Sequence, residues 1–315
     1  MANNCSSRKD AFSTKLIFAA TQENFMAVAE HQQCLLCDST NLVRLKGYER
    51  FHLCRCKNCG FIFAKAIPTE DELIENYRNY GRADYESPIT VKRYNEILDK
   101  LEPFRKTNRL IDVGCGIGFF LSVAKQRGWE VYGTEYTDEA VKICSAKGIE
   151  MKKGSLNPEN YPPDFFDVVT SFQVIEHINT PKDEIKKFNQ ILRSGGVCYI
   201  TTPNIKSVVH SYLGNQWNVI CYPEHLSYFS PKTLAKTFRE CGFKKKELLA
   251  QDISITRIKT SQKKIYGGYV NAKADDEKLR GRIESNKFLQ FAKYSVNGVL
   301  SALGRGDTLK GYFVK

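Results

Sequence analysis

Arg109-Leu-Ile-Asp-Val-Gly-Cys-Gly-Ile-Gly-Phe-Phe120 is the stretch whose reading decides the fold. Leu110, Ile111 and Val113 form a short apolar run suited to a buried parallel strand. Gly114, Gly116 and Gly118 then interrupt it. Glycine lets a backbone turn sharply and approach a ligand that a Cβ would hold off. Phe119, Phe120, Val123 and Ala124 follow at helical spacing, so the glycines form a strand-to-helix loop.

The spacing of that loop narrows its use. A dinucleotide fingerprint needs its third glycine at 119, where Phe stands, and a P-loop needs a Gly-Lys-Ser/Thr that is absent. Glu130 to Glu135 reads as a second strand ending in a carboxylate, about twenty residues on, where a nucleoside-binding fold places its ribose-reading acid. A carboxylate can accept hydrogen bonds from both ribose hydroxyls, which makes Glu135 the ribose candidate.

Beyond this point elements alternate. Helices are predicted over 118–127, 138–147 and 181–192, and strands over 109–113, 130–134, 149–153, 166–172 and 196–202. A further strand is expected over 244–258 and a last one over 309–314. Such alternation gives an α/β fold with a parallel sheet covered on both faces, and ligands then bind at the carboxyl ends of the strands.

Asp112-x-Gly-x-Gly-x-Gly, Phe166 to His177 at the fourth core strand and Gly195-Gly196 before the fifth together resemble the class I S-adenosylmethionine-dependent methyltransferases over residues 105–243. The resemblance implies a Rossmann-like seven-stranded sheet with its last strand antiparallel, and S-adenosylmethionine as cofactor. It implies cofactor contacts from Asp112, Gly114, Cys115, Gly116, Gly118, Glu135, Tyr136 and Gln173. A tyrosine-rich segment ahead of the core, with Tyr80 and Tyr85, would be its lid. The family usually has an acid reading the adenine amino group after the third strand, and here Ser155 stands instead, with Leu156 available to pack on the ring.

Cys34-Leu-Leu-Cys37 and Cys56-Lys-Asn-Cys59 are two knuckles separated by eighteen residues, with strand-like pieces at Leu42 to Leu45, Arg50 to Leu53 and Phe61 to Phe63. Four thiolates at this spacing suit a tetrahedral structural zinc, and a piece so small would draw most of its folding energy from the metal. Cys54 and His52 lie beside the second knuckle as alternative ligands. The division expected is a poorly ordered leader (1–30), a zinc ribbon (31–67), a helical connector or lid (68–104) and a core (105–315) with a helical insert (259–306). Thr69 and Glu72 form a capping box opening a helix in the connector. The ribbon and core together resemble zinc-ribbon methyltransferases of polysaccharide and sugar pathways.

Methyl transfer to a hydroxyl requires removal of a proton, a task for which histidine suits neutral pH. Of the five histidines, His225 in Tyr222-Pro-Glu-His225 follows the fifth core strand, where such folds bring their acceptor loop. It is the favoured base, oriented by Glu224 or Glu176; His177, after the fourth strand, is the alternative, or a structural link to that loop. Tyr212, Trp217 and Tyr222 are expected to form a wall for a sugar ring.

With 315 residues the chain can build one large core and a small satellite domain, and it contains no apolar run long enough to span a membrane. Lys15 to Ala20 is too short for a signal peptide, and a cytoplasmic location is the simplest expectation. Eleven cysteines, five of them between 34 and 59, do not suggest a secreted disulfide scaffold. The net charge is +12, and residues 242–315 alone hold 16 Lys/Arg against 7 Asp/Glu, so nine of the twelve excess charges lie there.

Such a basic region points to an anionic partner. The first reading is therefore a methyltransferase acting on a sugar, sugar nucleotide or glycan. An RNA methyltransferase and a non-catalytic zinc-ribbon adaptor are the alternatives. The insert's helix near 284–303 is amphipathic; packing on its own domain is the plain reading, and a dimer surface or an anionic membrane face are the others.

Overall fold

The computed structural model describes residues 29–69, 71–73, 87–262 and 275–315. Nearly all of the expected leader, and the lid candidates Tyr80 and Tyr85, lie outside the described residues.

The core sheet begins with β4 (Arg109–Val113), reached through three strands of the ribbon, β1 (Leu42–Arg44), β2 (Leu53–Cys56) and β3 (Ile62–Ala64). It continues through β5 (Glu130–Glu135), β6 (Glu150–Lys153), β7 (Phe166–Phe172) and β8 (Leu192–Pro203). After a short β9 (Ser227–Tyr228) come β10 (Lys244–Gln251) and β11 (Thr308–Val314). Helices α1 (Pro88–Leu101), α2 (Phe119–Gln126), α3 (Asp138–Ala146), α4 (Pro181–Ile191), α5 (Val208–Leu213) and α6 (Pro231–Glu240) connect them. The insert supplies α7 (Ile255–Gln262), α8 (Asp275–Glu284) and α9 (Lys287–Leu303).

Seven strands lie in the order β10-β11-β8-β7-β4-β5-β6. β11 runs antiparallel to β8 and to β10, while the β8-β7-β4-β5-β6 block is parallel. From β4 the chain winds outward through β5 and β6, then returns to the other side of β4 for β7 and β8. The strand order therefore reverses at β4, and the glycine loop leaves its carboxyl end. Leu110, Ile111, Val168 and Val169 are fully buried, as strands covered on both faces require.

The ribbon is not a satellite. β1-β2-β3 form a sheet whose fourth, edge-closing strand is β9, a piece of the segment after β8. Both faces of β3 are used, because alternate side chains point opposite ways. Phe61 and Phe63 join one core cluster with Ile175, Phe229 and Phe238, and Ile62 and Ala64 join another with Ile205, Trp217 and Leu226.

Several boundaries differ from the sequence expectation. Arg50 belongs to a 3-10 turn, Glu49–Phe51, and left-handed His52 (φ 55°) delays the second ribbon strand to Leu53. Gly195 and Gly196 lie inside β8, at an irregular register against β7, instead of preceding the strand. Gly196 tolerates no side chain, since a Cβ there would meet the carbonyl oxygens of Arg193 and Asp167 at 2.9 Å. The strand expected over 244–258 ends at Gln251, where Asp252 turns left-handed (φ 65°) and ion-pairs with Lys310 at 2.6 Å. The capping box forms as expected: Thr69 N–H donates to Glu72 Oε2 at 2.8 Å and Glu72 N–H to Thr69 Oγ1 at 3.2 Å.

Phe61 is fully buried where ribbon meets core. Phe61→Ala is expected to cost about 3–5 kcal/mol and to lower a single common unfolding transition in calorimetry. A separate ribbon transition with an unmoved core would contradict the shared interior.

Candidate active site

Gly114, Gly116 and Gly118 all adopt left-handed conformations (φ 73°, 54° and 76°). Their reasons differ. A Cβ on Gly114 would strike Val174 Cγ2 at 2.5 Å, and one on Gly118 would meet Cys144 Sγ and Ile149 Cδ1 at 2.8 Å. A Cβ on Gly116 would meet nothing within 4 Å. The outer glycines thus permit internal packing, whereas the middle one lies bare against open space, as a backbone that receives a ligand must.

Glu135 ends β5 beside this loop. Its Oε2 accepts from Gly116 N–H at 2.9 Å and its Oε1 from Tyr136 N–H at 2.7 Å. Each carboxylate oxygen has a second acceptor site, so a diol can still be bound while the loop stays fastened. Asp112, 3% exposed at the end of β4, accepts from Thr170 Oγ1 at 2.7 Å. Burial pushes its carboxyl up to about 7, against the Thr170 bond that lowers it and with the Glu135 charge adding to the rise. Tyr136 is exposed, Cys115 half-buried, and Ser155 exposed beside Gly154. Leu156 is 1% exposed and packed in the core with Ile111, Val113 and Tyr161.

Gln173, just past β7, is left-handed (φ 56°) although it is not glycine. Its backbone N–H is held by Thr201 O at 3.0 Å, and its buried Nε2 has no hydrogen-bond partner. A buried amide donor left unpaired costs free energy, and strained backbone concentrates at ligand sites. The bare Gly116 and the orphaned Gln173 amide are the features a nucleoside-bearing cofactor would complete, so the residues present fit S-adenosylmethionine.

Val174, which abuts Gly114, leads in one turn to Glu176 and His177. There the chain meets the loop after β8. His177 Nδ1 lies 2.7 Å from the Glu224 carbonyl, and His225 Nδ1 lies 2.7 Å from the Val219 carbonyl. A carbonyl only accepts, so each ring carries a proton on Nδ1, and the lone pair of its neutral form is on Nε2. The rings meet edge to face with centroids 4.7 Å apart. Burial, reinforced by the neighbouring His177, holds His225 well below the usual histidine range.

Glu176 is 1% exposed; Thr202 Oγ1 donates to its Oε2 at 3.0 Å, while Oε1 has no partner. Burial raises its carboxyl above the usual carboxylate range. One donor atom from each of Glu176, His177 and His225 falls within 4.8 Å of the others, a set that can pass a proton or hold a cation.

This geometry departs from the expected supports. His225 is oriented by a main-chain carbonyl, not by Glu224 or Glu176; the Glu224 carboxylate instead accepts from Cys221 Sγ at 3.5 Å. His177 does tie the β7 end to the loop after β8 through its Glu224 bond. Trp217 cannot line a sugar wall, because it is fully buried against His210, and Tyr212 is 74% exposed on α5. Sequence reasoning missed Thr170, Thr202 and Val219, whose roles come from hydroxyls and a carbonyl that carry no motif.

The four knuckle cysteines also converge. Cys34 and Cys59 sulfurs lie 3.5 Å apart, Cys37 and Cys56 sulfurs 3.6 Å, and all four fall within 4.8 Å of one another. A tetrahedral zinc with bonds of about 2.3 Å places its sulfurs about 3.8 Å apart, so the donor set fits that ion. Cys54 lies outside the cluster, buried in β2, and His52 packs on Tyr222.

A family model described as a methyltransferase domain matches residues 85–248. The chain belongs to the class I S-adenosylmethionine-dependent methyltransferase-domain family. The methyltransferase is similar to the ubiquinone biosynthesis O-methyltransferase of Nitrosomonas europaea, 27% identical over 169 residues that cover 50% of this chain and 70% of that protein. The enzyme of the same description from Roseobacter denitrificans is 26% identical over 52% of this chain and 71% of its own length. A solved methyltransferase structure from Galdieria sulphuraria superposes with a TM-score of 0.50 at 16% identity, covering 78% of this chain and 98% of that one. That likeness concerns the fold alone. The matched region of the methyltransferase ends before the insert and begins after the ribbon.

Two outcomes follow for the methyltransferase. Gly116→Ala adds a Cβ in open space at a left-handed φ; it is expected to weaken calorimetric binding of S-adenosylhomocysteine by tenfold or more, at a stability cost of about 1–2 kcal/mol. If binding needs ionised Asp112, the KM for S-adenosylmethionine rises as pH falls below about 7, approaching tenfold per pH unit. A KM unchanged between pH 8 and 6 would contradict that dependence.

Proposed function

We propose that this enzyme methylates a hydroxyl of a sugar, sugar nucleotide or glycan, with His225 as general base and His177 beside it. The observation that carries the acid–base part is the pair of imidazoles whose Nδ1 atoms are both pinned to carbonyls, leaving two Nε2 lone pairs at the carboxyl ends of β7 and β8.

S-adenosylmethionine supplies an electrophilic methyl on its sulfonium. The chain's own part is positional. Gly116 and Glu135 would hold the nucleoside end, the Gln173 amide would meet a polar group of the bound pair, and Asp112 would place a negative charge near the cationic end. When bound, the cofactor would supply the methyl that the acceptor oxygen takes, and Nε2 of His225 would receive the acceptor proton. Burial keeps that ring neutral at pH 7, so it is ready to accept. Glu176, with its carboxyl raised by burial, stands near both rings as the group through which the proton is relayed.

The support for a hydroxyl acceptor is twofold. Oxygen acceptors demand a base, and the relatives at 26–27% identity are described as O-methyltransferases. The sugar is supported by the resemblance of a zinc ribbon joined to this core. An intermediate of ubiquinone biosynthesis is the second reading, favoured by the description of those relatives. RNA and the adaptor reading have no comparable observation behind them.

The four cysteines are assigned a structural zinc: with four protein thiolates the coordination sphere is closed, and the ion would fasten the β1-β2-β3 sheet on which β9 rests.

His225→Asn is expected to lower kcat at least about 100-fold while calorimetric binding of S-adenosylhomocysteine is retained; undiminished turnover removes the residue from the mechanism. Screening nucleotide sugars, free glycans and ubiquinone-pathway phenols with labelled cofactor separates the two acceptor classes. Stripping the metal with a chelator is expected to lower the melting temperature and abolish transfer, both restored by zinc; metal analysis showing no zinc in active protein would remove the assignment.

A further inference from the structure

Helix α9 is built inside out. Its inward face is polar: Asn297 Oδ1 accepts from Asp252 N–H at 2.9 Å, Ser301 Oγ donates to the Ala250 carbonyl at 3.1 Å, and Lys293 ion-pairs with Glu284 at 3.7 Å. Leu300, at 7% exposure, is the one buried side chain of the helix. The outward face carries the bulk: Phe288, Phe291, Val299 and Leu303 are 60–75% exposed. At about 100° per residue these four fall within a stripe about 120° wide. A surface helix ordinarily turns such a stripe to its own core, and here hydrogen bonds along the polar face hold it outward.

The surface continues past the helix. Arg305 O accepts from Val208 N–H at 2.9 Å, which sets the end of α9 beside the start of α5. There Val208 and Tyr212 are exposed as well. This side of the molecule is where the chain emerges from the carboxyl end of β8, the end that carries the acceptor loop.

We propose that α9 is a membrane-docking helix that lies flat on a bilayer containing anionic lipids. Two observations select the occupant. The region 242–315 carries nine net positive charges, so anionic headgroups complement it, whereas a second copy would bring the same charge against itself. Lys287 is exposed at the start of the helix, and Arg282 is exposed in the last turn of α8 just before it, positions from which cations reach headgroups while the rings enter the acyl boundary. Among the described residues no helix is long and apolar enough to cross a membrane, which fits a helix lying in the interface. The docking does not depend on which acceptor the enzyme takes.

The test is vesicle flotation of the full-length, zinc-loaded chain with phosphatidylcholine vesicles with and without phosphatidylglycerol. The wild type is expected to float with the anionic vesicles only, and to be released by raised salt. The double variant Phe288→Ser, Phe291→Ser is expected to lose at least tenfold in vesicle affinity while its S-adenosylhomocysteine binding and melting temperature stay unchanged. Failure of the wild type to float, or equal flotation with neutral vesicles, overturns the proposal. A dimer seen by light scattering that the double variant abolishes, with no vesicle binding, overturns it in favour of a second copy.

Discussion

Two residues, Ser227 and Tyr228, hold the molecule's two parts in one geometry. They form the last strand of the ribbon sheet through Ile62 and Phe63, and the residue before them donates its N–H to the Glu176 carbonyl at 2.7 Å. Leu226 also accepts from Ala64 N–H at 2.8 Å. Main-chain bonds of this kind fix position in all directions, because the peptide group is rigid. The ribbon, the β7 end and the loop after β8 are thereby set relative to one another, and both histidines sit within that junction.

That arrangement ties the cysteine cluster to the rest of the molecule. A ribbon of this size buries little on its own, yet here both faces of β3 are occupied by side chains from the core. Fastening the ribbon also fastens β9, and through it the loop that aims His225. The cofactor side obeys a separate logic: Gly114 and Gly118 are small because Val174, Cys144 and Ile149 crowd them, and only Gly116 is bare for a ligand. Val174 joins the two regions, touching the glycine loop from the segment that ends in His177.

The buried acids divide by partner. Asp112 and Glu176 each hold one hydroxyl, from Thr170 and Thr202, and burial lifts both above their ordinary range. Glu135 faces two main-chain amides at the rim of the sheet. The two imidazoles, each held at Nδ1 by a main-chain carbonyl, lie beside Glu176 at the end of β7.

The sequence by itself determined whatever depends on periodicity and short-range spacing. The glycine loop, the acid ending β5, the alternation of strands and helices, and the two cysteine knuckles all follow from residues close in the chain; the antiparallel last strand was implied by the family resemblance alone. Only the tertiary structure decided what depends on pairs far apart: that β9 completes the ribbon sheet with Tyr228 and Ser227 opposite Ile62 and Phe63 of β3, that carbonyls of Val219 and Glu224 select the histidine tautomers, that Trp217 is core and that α9 turns its apolar side outward. Hydroxyls and backbone carbonyls occur throughout any chain, so their meaning appears only when the fold brings one against a charged or titratable partner.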